Sequence, residues 1–399
     1  GNRRKAPEEA VQQVDAPAQV ERDRAVVPEH RTENDLGENT AQVLIRTAQQ
    51  RAHDEQPAGG LVLVAVEQLG DQCDGKAPYD GERPPHNAGT AHPLAAHNAA
   101  EDRLGDIAEK RADEKQQHDL VRAAPGGKGA NQACAAARAG ASVQMIGQVG
   151  NDHNGRKMKT SLERMGVNTE GIRISRTEQT GVALITLDSS AENSIVVCPG
   201  ANGTVDSDEI LAALEALPVL KMIMLQLEIP MDCVERTVAY AAQRGIPVFL
   251  DPAPVPPEGL PEELYAKLTY IAPNSIEAEL LTGIHVCDTA SARAAAQFFL
   301  ARGVKNAVIK LGSHGVYAAN EQGEQLIPPY HVDAIDTTAA GDTFGGAFCA
   351  RISGGSSLED ALHFANAAGA FSTTRAGAQP AMPSLEEINL FLQEKGDVR

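Results

Sequence analysis

Short, mainly apolar runs alternate with segments of helical periodicity from residue 142 onward. The runs at 221–227, 247–250 and 307–311 lack the polar alternation of a strand with one face in water, so we expect each to be buried on both faces. Helices that connect such strands cover the two faces of a parallel sheet. The pattern therefore predicts an α/β fold, a three-layer α/β/α sandwich with a mostly parallel central sheet.

The same periodicities place the expected elements along the chain. Strands are predicted at 142–149, 182–187, 194–198, 221–227, 247–250, 268–272 and 307–311. Helices are predicted at 133–139, 154–165, 207–217, 231–244, 275–282, 290–302, 341–352, 357–373 and 384–394. We expect one large domain, covering residues 121–399, to hold them.

Composition and charge exclude several classes of protein. The chain has 399 residues, 42% hydrophobic and 22% charged, which is typical of a globular protein. Its formal net charge of -19 argues against a nucleic-acid binder, which needs clustered Lys and Arg. The sequence has neither a membrane-spanning apolar run nor an apolar signal core near its start, so we expect no membrane partner and a cytoplasmic location. Six scattered cysteines without C-x-x-C spacing favour reduced thiols: Cys73, Cys134, Cys198, Cys233, Cys287 and Cys349.

Residues 1–120 differ in composition from the rest. They contain no Ser, Phe or Met and a single Tyr, Tyr79, and their one compact apolar strip is 61–66. So little apolar surface cannot offset the entropy cost of ordering the segment. We therefore expect residues 1–120 to be a polar, disordered or loosely helical segment outside the main domain.

A binding site is expected in the loops that follow strands, because ligands of open parallel sheets bind at the carboxyl ends of the strands. Four such loops carry polar or glycine residues: Glu228, the pair Asn274 and Glu277, residues 311–315, and residues 339–342. Each has a structural alternative, since Glu228 could cap the next helix, the pair has capping-box spacing, and 311–315 could be a hairpin turn. All four fall on one side of one sheet, so together they outline a cleft.

Asp342 follows Gly341 at the predicted start of a helix. Backbone amides at a helix start lack partners and lie at the positive end of the dipole, so they favour a developing negative charge. A carboxylate in that place suggests a base. The alternative is that Asp342 is an ordinary acidic residue in the first turn of its helix.

A second glycine-rich stretch, Gly-Gly-Lys-Gly-Ala-Asn-Gln at 126–132, precedes a helix of small residues. Its glycines permit close approach of the backbone, and its amides point at whatever binds the helix start. It is not a P-loop, because Arg122 and Gly129 occupy the positions where that motif needs Gly and Ser or Thr. No G-x-S-x-G, H-E-x-x-H or protein-kinase catalytic loop is present either.

These stretches resemble the two signatures of the ribokinase branch of the ribokinase-like (PfkB) carbohydrate kinases. The first signature is Gly-Gly-Lys-Gly-Ala-Asn-Gln-Ala at 126–133, and the second is Asp-Thr-Thr-Ala-Ala-Gly-Asp at 336–342. Further similar stretches lie at 200–202, 251–254, 273–279 and 374–380. The resemblance runs from about residue 126 to residue 393 and implies a ribokinase-like fold.

The resemblance implies ATP-dependent phosphorylation of D-ribose to D-ribose 5-phosphate. Asp342 would be the base that faces the primary hydroxyl of the sugar, and the amides of Ala340, Gly341 and Asp342 would form the anion hole for the moving phosphoryl group. The implied sugar-binding residues are Gly127, Lys128, Gly129, Ala130, Asn131, Glu228 and Asp342.

The resemblance also implies a nucleotide site and two cations. The nucleotide would contact Asn274, Lys310, Leu311, Gly312, Ser313, His314, Gly315, Gly341, Asp342 and, beside the adenine, Asn366. Glu277 would hold Mg²⁺ through water near the phosphates. A K⁺ activator would lie in a loop and be bound mostly by backbone carbonyls, with these residues involved: Asp336, Thr338, Ser372, Arg375 and Gly377.

The chain departs from the family before residue 126. Family members begin with a buried strand leading into Gly-Ser-x-Asn-x-Asp shortly before the Gly-Gly-Lys loop, and this chain has Ala-Ala-Glu-Asp at 99–102. The strip at 61–66 lies too far upstream to replace that strand. We therefore expect the first strand, the β lid and the contact of the family's homodimer to be missing. Our hypothesis is that residues 1–120 come from a wrong reading frame or a misassigned start.

Two classes of function follow from these observations. The chain is a kinase for ribose, or for another sugar or a nucleoside accepted by PfkB-type enzymes. Alternatively, it is a nucleotide-binding remnant that is catalytically impaired because it lacks the first strand.

Overall fold

The computed structural model describes residues 60–64, 67–69, 124–187 and 193–397. Its strands are β1 (Gly60–Val64), β2 (Glu67–Leu69), β3 (Pro125–Gly126), β4 (Ser142–Gly150), β5 (Val167–Ser175), β6 (Val182–Leu187), β7 (Asn193–Cys198), β8 (Leu220–Leu225), β9 (Val248–Leu250), β10 (Tyr270–Ile271), β11 (Asn306–Lys310), β12 (Val316–Asn320) and β13 (Gly323–Ile327). Its helices are α1 (Lys128–Arg138), α2 (His153–Arg164), α3 (Ser207–Glu215), α4 (Met231–Arg244), α5 (Glu262–Tyr265), α6 (Ser275–Thr282), α7 (Thr289–Ala301), α8 (Ala340–Ser353), α9 (Leu358–Ser372) and α10 (Leu385–Glu394). Short 3₁₀ turns lie at Gly200–Thr204, Gly312–His314 and Gln379–Ala381.

The main sheet has nine strands in the order β13-β12-β11-β10-β9-β8-β1-β4-β5. Pairing is parallel from β11 through β5, and β12 and β13 add antiparallel strands at one edge. The predicted α/β fold with a mostly parallel sheet is confirmed.

Both faces of this sheet are buried. On β8, Met222 and Met224 join the core on one face, while Ile223 and Leu225 join the core on the other. Helices α1, α8 and α9 contribute to the first core, and helices α3, α4 and α7 to the second. Successive side chains of a strand point to opposite faces, so the part of a strand between two cores must be apolar, as Met222–Leu225 of β8 are.

The centre of the sheet contains a strand that we expected to be missing. β1 lies between β4 and β8, parallel to both, with Leu61 opposite Val143 and Met222. The expectation that the strip at 61–66 lies too far upstream was therefore wrong. The cost of closing a loop rises only slowly with its length, so a long connection does not prevent β1 from pairing beside β4.

A second sheet has four strands in the order β3-β2-β6-β7. β2 runs antiparallel to β3 and parallel to β6, and β7 completes a hairpin with β6. We expected the β lid to be missing, but the structure has this second sheet, and its strand β2 comes from the region before residue 126. Because β3 ends directly before α1, this sheet borders the Gly-Gly-Lys loop.

Several expectations fall outside the described residues. Apart from β1 and β2, the predicted disorder or misreading of residues 1–120 concerns residues that the structure does not describe. Within the described ranges, no helix is long and apolar enough to cross a membrane.

Candidate active site

The start of α8 presents backbone amides without a side-chain cap. Ala339 precedes the helix in the left-handed region, with φ of 58° and ψ of 16°. The Ala340 N–H donates to the carbonyl of Thr337 at 3.2 Å, which leaves Gly341 and Asp342 as first-turn amides without a helical acceptor. Asp342 is an acidic residue in the first turn of α8, as the structural alternative has it, but its side chain does not cap the helix.

The Asp342 carboxylate instead turns toward α1. It is only 7% exposed, and it accepts hydrogen bonds from two adjacent side chains of α1. Asn131 Nδ2 donates to its Oδ2 at 3.0 Å, and Gln132 Nε2 donates to its Oδ1 at 3.0 Å. The two predicted motifs, far apart in sequence, are thus joined through Asp342.

The Gly-Gly-Lys loop enters α1 through Gly127, whose φ is 89°. A residue with a side chain rarely adopts this conformation, which explains the glycine. The next N–H, that of Lys128, donates to Glu228 Oε2 at 3.0 Å. Helix α4, which begins after Pro230, has no side-chain cap, so the interpretation of Glu228 as its cap was wrong. Glu228 lies against the glycine loop, inside the predicted cleft.

Asp251 is a site residue that the sequence analysis did not select. It is fully buried directly after β9 and accepts hydrogen bonds from Lys310 Nζ and Gln132 Nε2, both at 2.7 Å. The ammonium of Lys128 lies 3.6 Å from its Oδ2. Its position after a strand, at the same sheet edge as the other loops, was the signal that could have identified it.

Opposite charges set the pKa values in this cluster. Burial raises the pKa of Asp251, but the charges of Lys310 and Lys128 outweigh burial and hold that pKa below its ordinary value. Burial lowers the pKa of Lys128, yet the surrounding carboxylates outweigh it and hold that pKa above its ordinary value. In order of effect these carboxylates are Asp251, Asp342, Glu277 and Glu228. The cluster is therefore a set of charged groups that stabilise one another.

Helix α6 begins with the capping box that its spacing allowed. Asn274 Oδ1 accepts from the Glu277 N–H at 2.8 Å, and Glu277 Oε2 accepts from the Asn274 N–H at 2.8 Å. Asn274 also pairs with Lys310 in an isolated β-bridge, which places the cap beside the charged cluster. Burial, followed by the negative charge of Asp251, raises the pKa of Glu277. The charges of Lys310 and Lys128 offset these effects only in part, so this buried carboxylate suits a cation ligand.

A cavity of about 320 Å³ lies on the other side of the α8 start. Six of the residues predicted to contact the nucleotide line it: Lys310, Gly312, Ser313, Gly315, Gly341 and Asn366. The other four predicted residues, Asn274, Leu311, His314 and Asp342, are not part of the lining. Leu311 is buried and His314 is exposed. The GSHG stretch is also the turn between antiparallel β11 and β12, so the hairpin interpretation was correct too. The Lys310 ammonium lies close to Gly341, 3.7 Å from where a Cβ would stand, beside the first-turn amides.

The loop predicted to hold K⁺ is assembled around Asp336. Its Oδ1 accepts from the Thr338 N–H at 2.9 Å, and its Oδ2 accepts from the Gly377 N–H at 2.8 Å. Hydrogen bonds, first from the Thr338 hydroxyl and then from these N–H groups, hold the pKa of Asp336 below its ordinary value. The carboxylate thus joins two segments that are separate in sequence.

Side chains on the second of these segments are engaged elsewhere. The Ser372 hydroxyl donates to the Gly369 carbonyl at 2.8 Å, and the Arg375 guanidinium donates to Glu387 at 2.6 Å. Within the described residues no group of three or more His, Cys, Asp or Glu side chains forms a metal site. Backbone carbonyls, which suit a hard monovalent cation, are the donors that this loop offers.

Fold and site together define an α/β phosphotransferase. The chain belongs to the pfkB family of carbohydrate kinases, whose family model matches residues 98–385. It is thus a sugar kinase, and the family predicted from two motifs is confirmed. The match begins upstream of the Gly-Gly-Lys loop, earlier than the motifs alone indicated.

Comparison with individual proteins is consistent with membership of this family. The chain is 40% identical over 268 residues to the ribokinase of Haemophilus influenzae, an alignment that spans 67% of this chain and 87% of the relative. It is 35% identical over 267 residues to the deoxyribokinase of Salmonella typhi, across 67% of this chain and 87% of the relative. The structure of Arabidopsis thaliana ribokinase complexed with ribose and ATP is similar, with a TM-score of 0.65, 27% identity, and coverage of 84% of this chain and 99% of that one.

Proposed function

We propose that this chain transfers the γ-phosphoryl group of ATP to the primary hydroxyl of D-ribose, with Asp342 as the base. The observation that carries the proposal is the placement of Asp342. Its carboxylate is buried and accepts a hydrogen bond from Asn131, on the helix that follows the Gly-Gly-Lys loop. Ala340 and Gly341, in the same helix turn, line the 320 Å³ cavity. A sugar hydroxyl on one side and a phosphoryl group on the other would meet at this residue.

Phosphoryl transfer has a loose transition state, so the protein contributes positioning and stabilisation of charge. The first-turn amides of Gly341 and Asp342, together with the Lys310 ammonium, provide positive potential where the equatorial phosphoryl oxygens would lie. Asp342 orients the attacking hydroxyl and accepts its proton late in the transfer, so its position matters more than its basicity.

The residues present fit the two cations of the proposal. Mg²⁺ bound with ATP would neutralise charge on the phosphates. Glu277 would hold it through water, because this buried carboxylate lies beside Asp251 and the charges of Lys310 and Lys128 offset its burial only in part. The backbone carbonyls around Asp336, Thr338, Ser372, Arg375 and Gly377 would hold K⁺ beside the anion hole. A cytoplasmic location remains a prediction.

Two acceptor sugars, ribose and 2-deoxyribose, are each favoured by a relative of this chain. Likeness to the Haemophilus influenzae ribokinase favours ribose, and likeness to the Salmonella typhi deoxyribokinase favours 2-deoxyribose. The two sugars differ by the 2-hydroxyl, so the ratio of kcat/KM for ribose and 2-deoxyribose decides between them. The alternative of a catalytically impaired remnant depended on a missing first strand. β1 lies at the centre of the sheet, so that reason no longer applies.

Replacing Asp342 tests the proposed reaction. Asp342→Asn keeps the shape of the side chain but removes the proton acceptor, so we expect kcat for ribose to fall on the order of a hundredfold or more while ATP binding persists. A coupled assay of ADP release measures turnover, and calorimetry measures ATP binding. The control is Asp232→Asn, which changes the acidic residue in the first turn of α4 and should leave kcat unchanged. Near-normal turnover of Asp342→Asn would exclude this mechanism.

A further inference from the structure

Gln132 occupies a position between two carboxylates. It is fully buried, and its Nε2 donates to Asp251 Oδ2 at 2.7 Å and to Asp342 Oδ1 at 3.0 Å. An amide nitrogen carries two hydrogens, so these bonds use its full donor capacity. One side chain thus connects the proposed base with the carboxylate that holds the lysines.

The orientation of this amide is fixed from its other end. Gln226, itself fully buried after β8, donates through Nε2 to Gln132 Oε1. Ionised carboxylates only accept hydrogen bonds, so a flipped Gln132 would direct its oxygen at two acceptors. Gln226 and the two carboxylates therefore all require the same orientation of Gln132.

A neutral donor at this point has a distinct chemical effect. It fixes the direction of the Asp342 carboxylate without adding a positive charge that would weaken the carboxylate as a base. A carboxylate has about four lone-pair directions. Asn131 and Gln132 occupy two of those of Asp342, which leaves others for a sugar hydroxyl. Without the bridge, the carboxylates of Asp342 and Asp251 would lose their shared donor in a buried setting.

We infer that Gln132 is a positioning residue for phosphoryl transfer, acting through Asp342. This inference rests on the proposed function, because it takes Asp342 as the base. Gln132 sets the direction of the base relative to the Asp251–Lys310 pair, of which Lys310 lines the cavity. It therefore links the geometry of the two halves of the site without touching either substrate.

The variant that tests this role is Gln132→Met, which keeps the length of the side chain and removes its polar atoms. A hydrogen bond to a charged group that matters only in the transition state corresponds to roughly a 10- to 100-fold change in rate. We expect kcat to fall by that factor, with the KM for sugar and the Kd for ATP changed less than about threefold. The matched control is Gln148→Met, because Gln148 is also buried and bonds the Ala201 carbonyl and Thr204 away from the site. Its kcat should stay at the wild-type value.

Repeating the substitution in the Asp342→Asn variant separates a positioning effect of Gln132 from general structural damage. In Asp342→Asn, where the base is already absent, Gln132→Met should reduce the residual turnover no further. An equal fall in both backgrounds, or no fall in the wild-type background, overturns the inference. If Gln132→Met does not fold, Gln226→Met replaces it, since this change removes only the group that orients Gln132. The expected result is then a fall in kcat that again disappears in the Asp342→Asn background.

An unfolding experiment keeps the test independent of activity. If the wild-type chain phosphorylates no sugar, the proposed function fails, but the pair Gln132 and Asp342 can still be examined by a double-mutant cycle of unfolding midpoints. Non-additive shifts for Gln132→Met and Asp342→Asn support the interaction on which the inference depends. Additive shifts overturn it.

Discussion

Two buried carboxyl groups of the site have pKa values shifted in opposite directions. Lys310 and Lys128 stabilise the charge of Asp251, whereas Glu277 is buried beside that same negative charge. When the pKa of an acid is raised by folding, the ionised form destabilises the folded state. The stability that Glu277 contributes is therefore fully present below its unfolded pKa and lost as pH rises through the folded value.

The sign of this shift makes Glu277→Gln a test at the scale of one residue. The amide stays neutral and its oxygen can still accept from the Asn274 N–H, so we expect a higher unfolding midpoint than wild type at about pH 8, and a difference that shrinks toward about pH 4. Calorimetric melts at several pH values measure it. Sugar kinase activity should also fall, because the proposed Mg²⁺ site would lose the Glu277 carboxylate.

The control for this prediction lies on the same helix. Glu279 is half exposed and pairs with His285, so Glu279→Gln should show no comparable gain at high pH. A midpoint for Glu277→Gln at or below that of wild type at about pH 8 would contradict the assignment of burial as the leading cause.

Single residues differed in how far the sequence could identify them. Asp342 and Asn131 lie in contiguous motifs, so their neighbours in sequence gave them meaning before their contacts were known. Asp251 also begins a stretch similar to the family, at 251–254, but neither its contacts nor those of Gln226 could be inferred, because their partners Gln132, Lys128 and Lys310 come from other elements. Only tertiary structure shows that an aspartate after a strand is fully buried between two lysines.

At the scale of elements, the contact between α1 and α8 sets the distance between the two motifs. A Cβ on Gly346 would stand 2.4 Å from the Gln132 carbonyl and 2.6 Å from the Ala135 Cβ. Since real Cβ atoms do not approach backbone so closely, only glycine permits this packing. The same contact keeps Asp342 within hydrogen-bond reach of α1.

Gly346→Ala should therefore separate the helices. Overpacking of this kind costs about 1–3 kcal/mol of the unfolding free energy, and we expect kcat to fall as well because Asp342 moves away from Asn131 and Gln132. The control is Gly345→Ala, whose new Cβ would meet the flexible end of Met224 at 2.9 Å. Denaturant unfolding and turnover measure both variants. Equal stability losses in the two would show that the α1 contact is not specially tight.

Elements were predicted well where periodicity is local. Helices 231–244 and 275–282 match α4 and α6 to the residue, since each presents a regular apolar face or a clear cap. β5 and β13 were not predicted, because they form the two edges of the sheet. The residues of β5 alternate between buried and exposed, and its glycine and charged residues hide a strand pattern.

At the scale of the whole molecule, the sheet order joins the first described strand to the last two thirds of the chain. β1 lies between β4 and β8, so its backbone groups pair with strands on both sides. Sequence reasoning missed this because pairing partners of a parallel strand are set by tertiary structure, and distance along the chain says little about them. Without β1, the inner edges of two central strands would lose their partner.

This topology predicts different outcomes for two truncations. A chain of residues 57–399 keeps every element described here and forms one compact unit, so it should unfold cooperatively and phosphorylate sugar like the full chain. A chain of residues 124–399 lacks β1 and leaves buried backbone groups unpaired. The lost unfolding free energy should be comparable to the whole stability of a typical domain, about 5–15 kcal/mol. We therefore expect this shorter chain to aggregate or to remain unfolded. Circular dichroism, size-exclusion chromatography and ATP binding measure the difference.

A point substitution gives the same test within the full chain. Val62 lies at the middle of β1, opposite Gln144 on β4 and Ile223 on β8. Val62→Pro removes a ladder N–H from a strand that is paired on both sides, where proline is not tolerated, so it should lower the unfolding midpoint sharply. If both Val62→Pro and residues 124–399 bind ATP and melt like wild type, β1 is not a necessary part of the sheet. That outcome would support the prediction that the domain begins near residue 121.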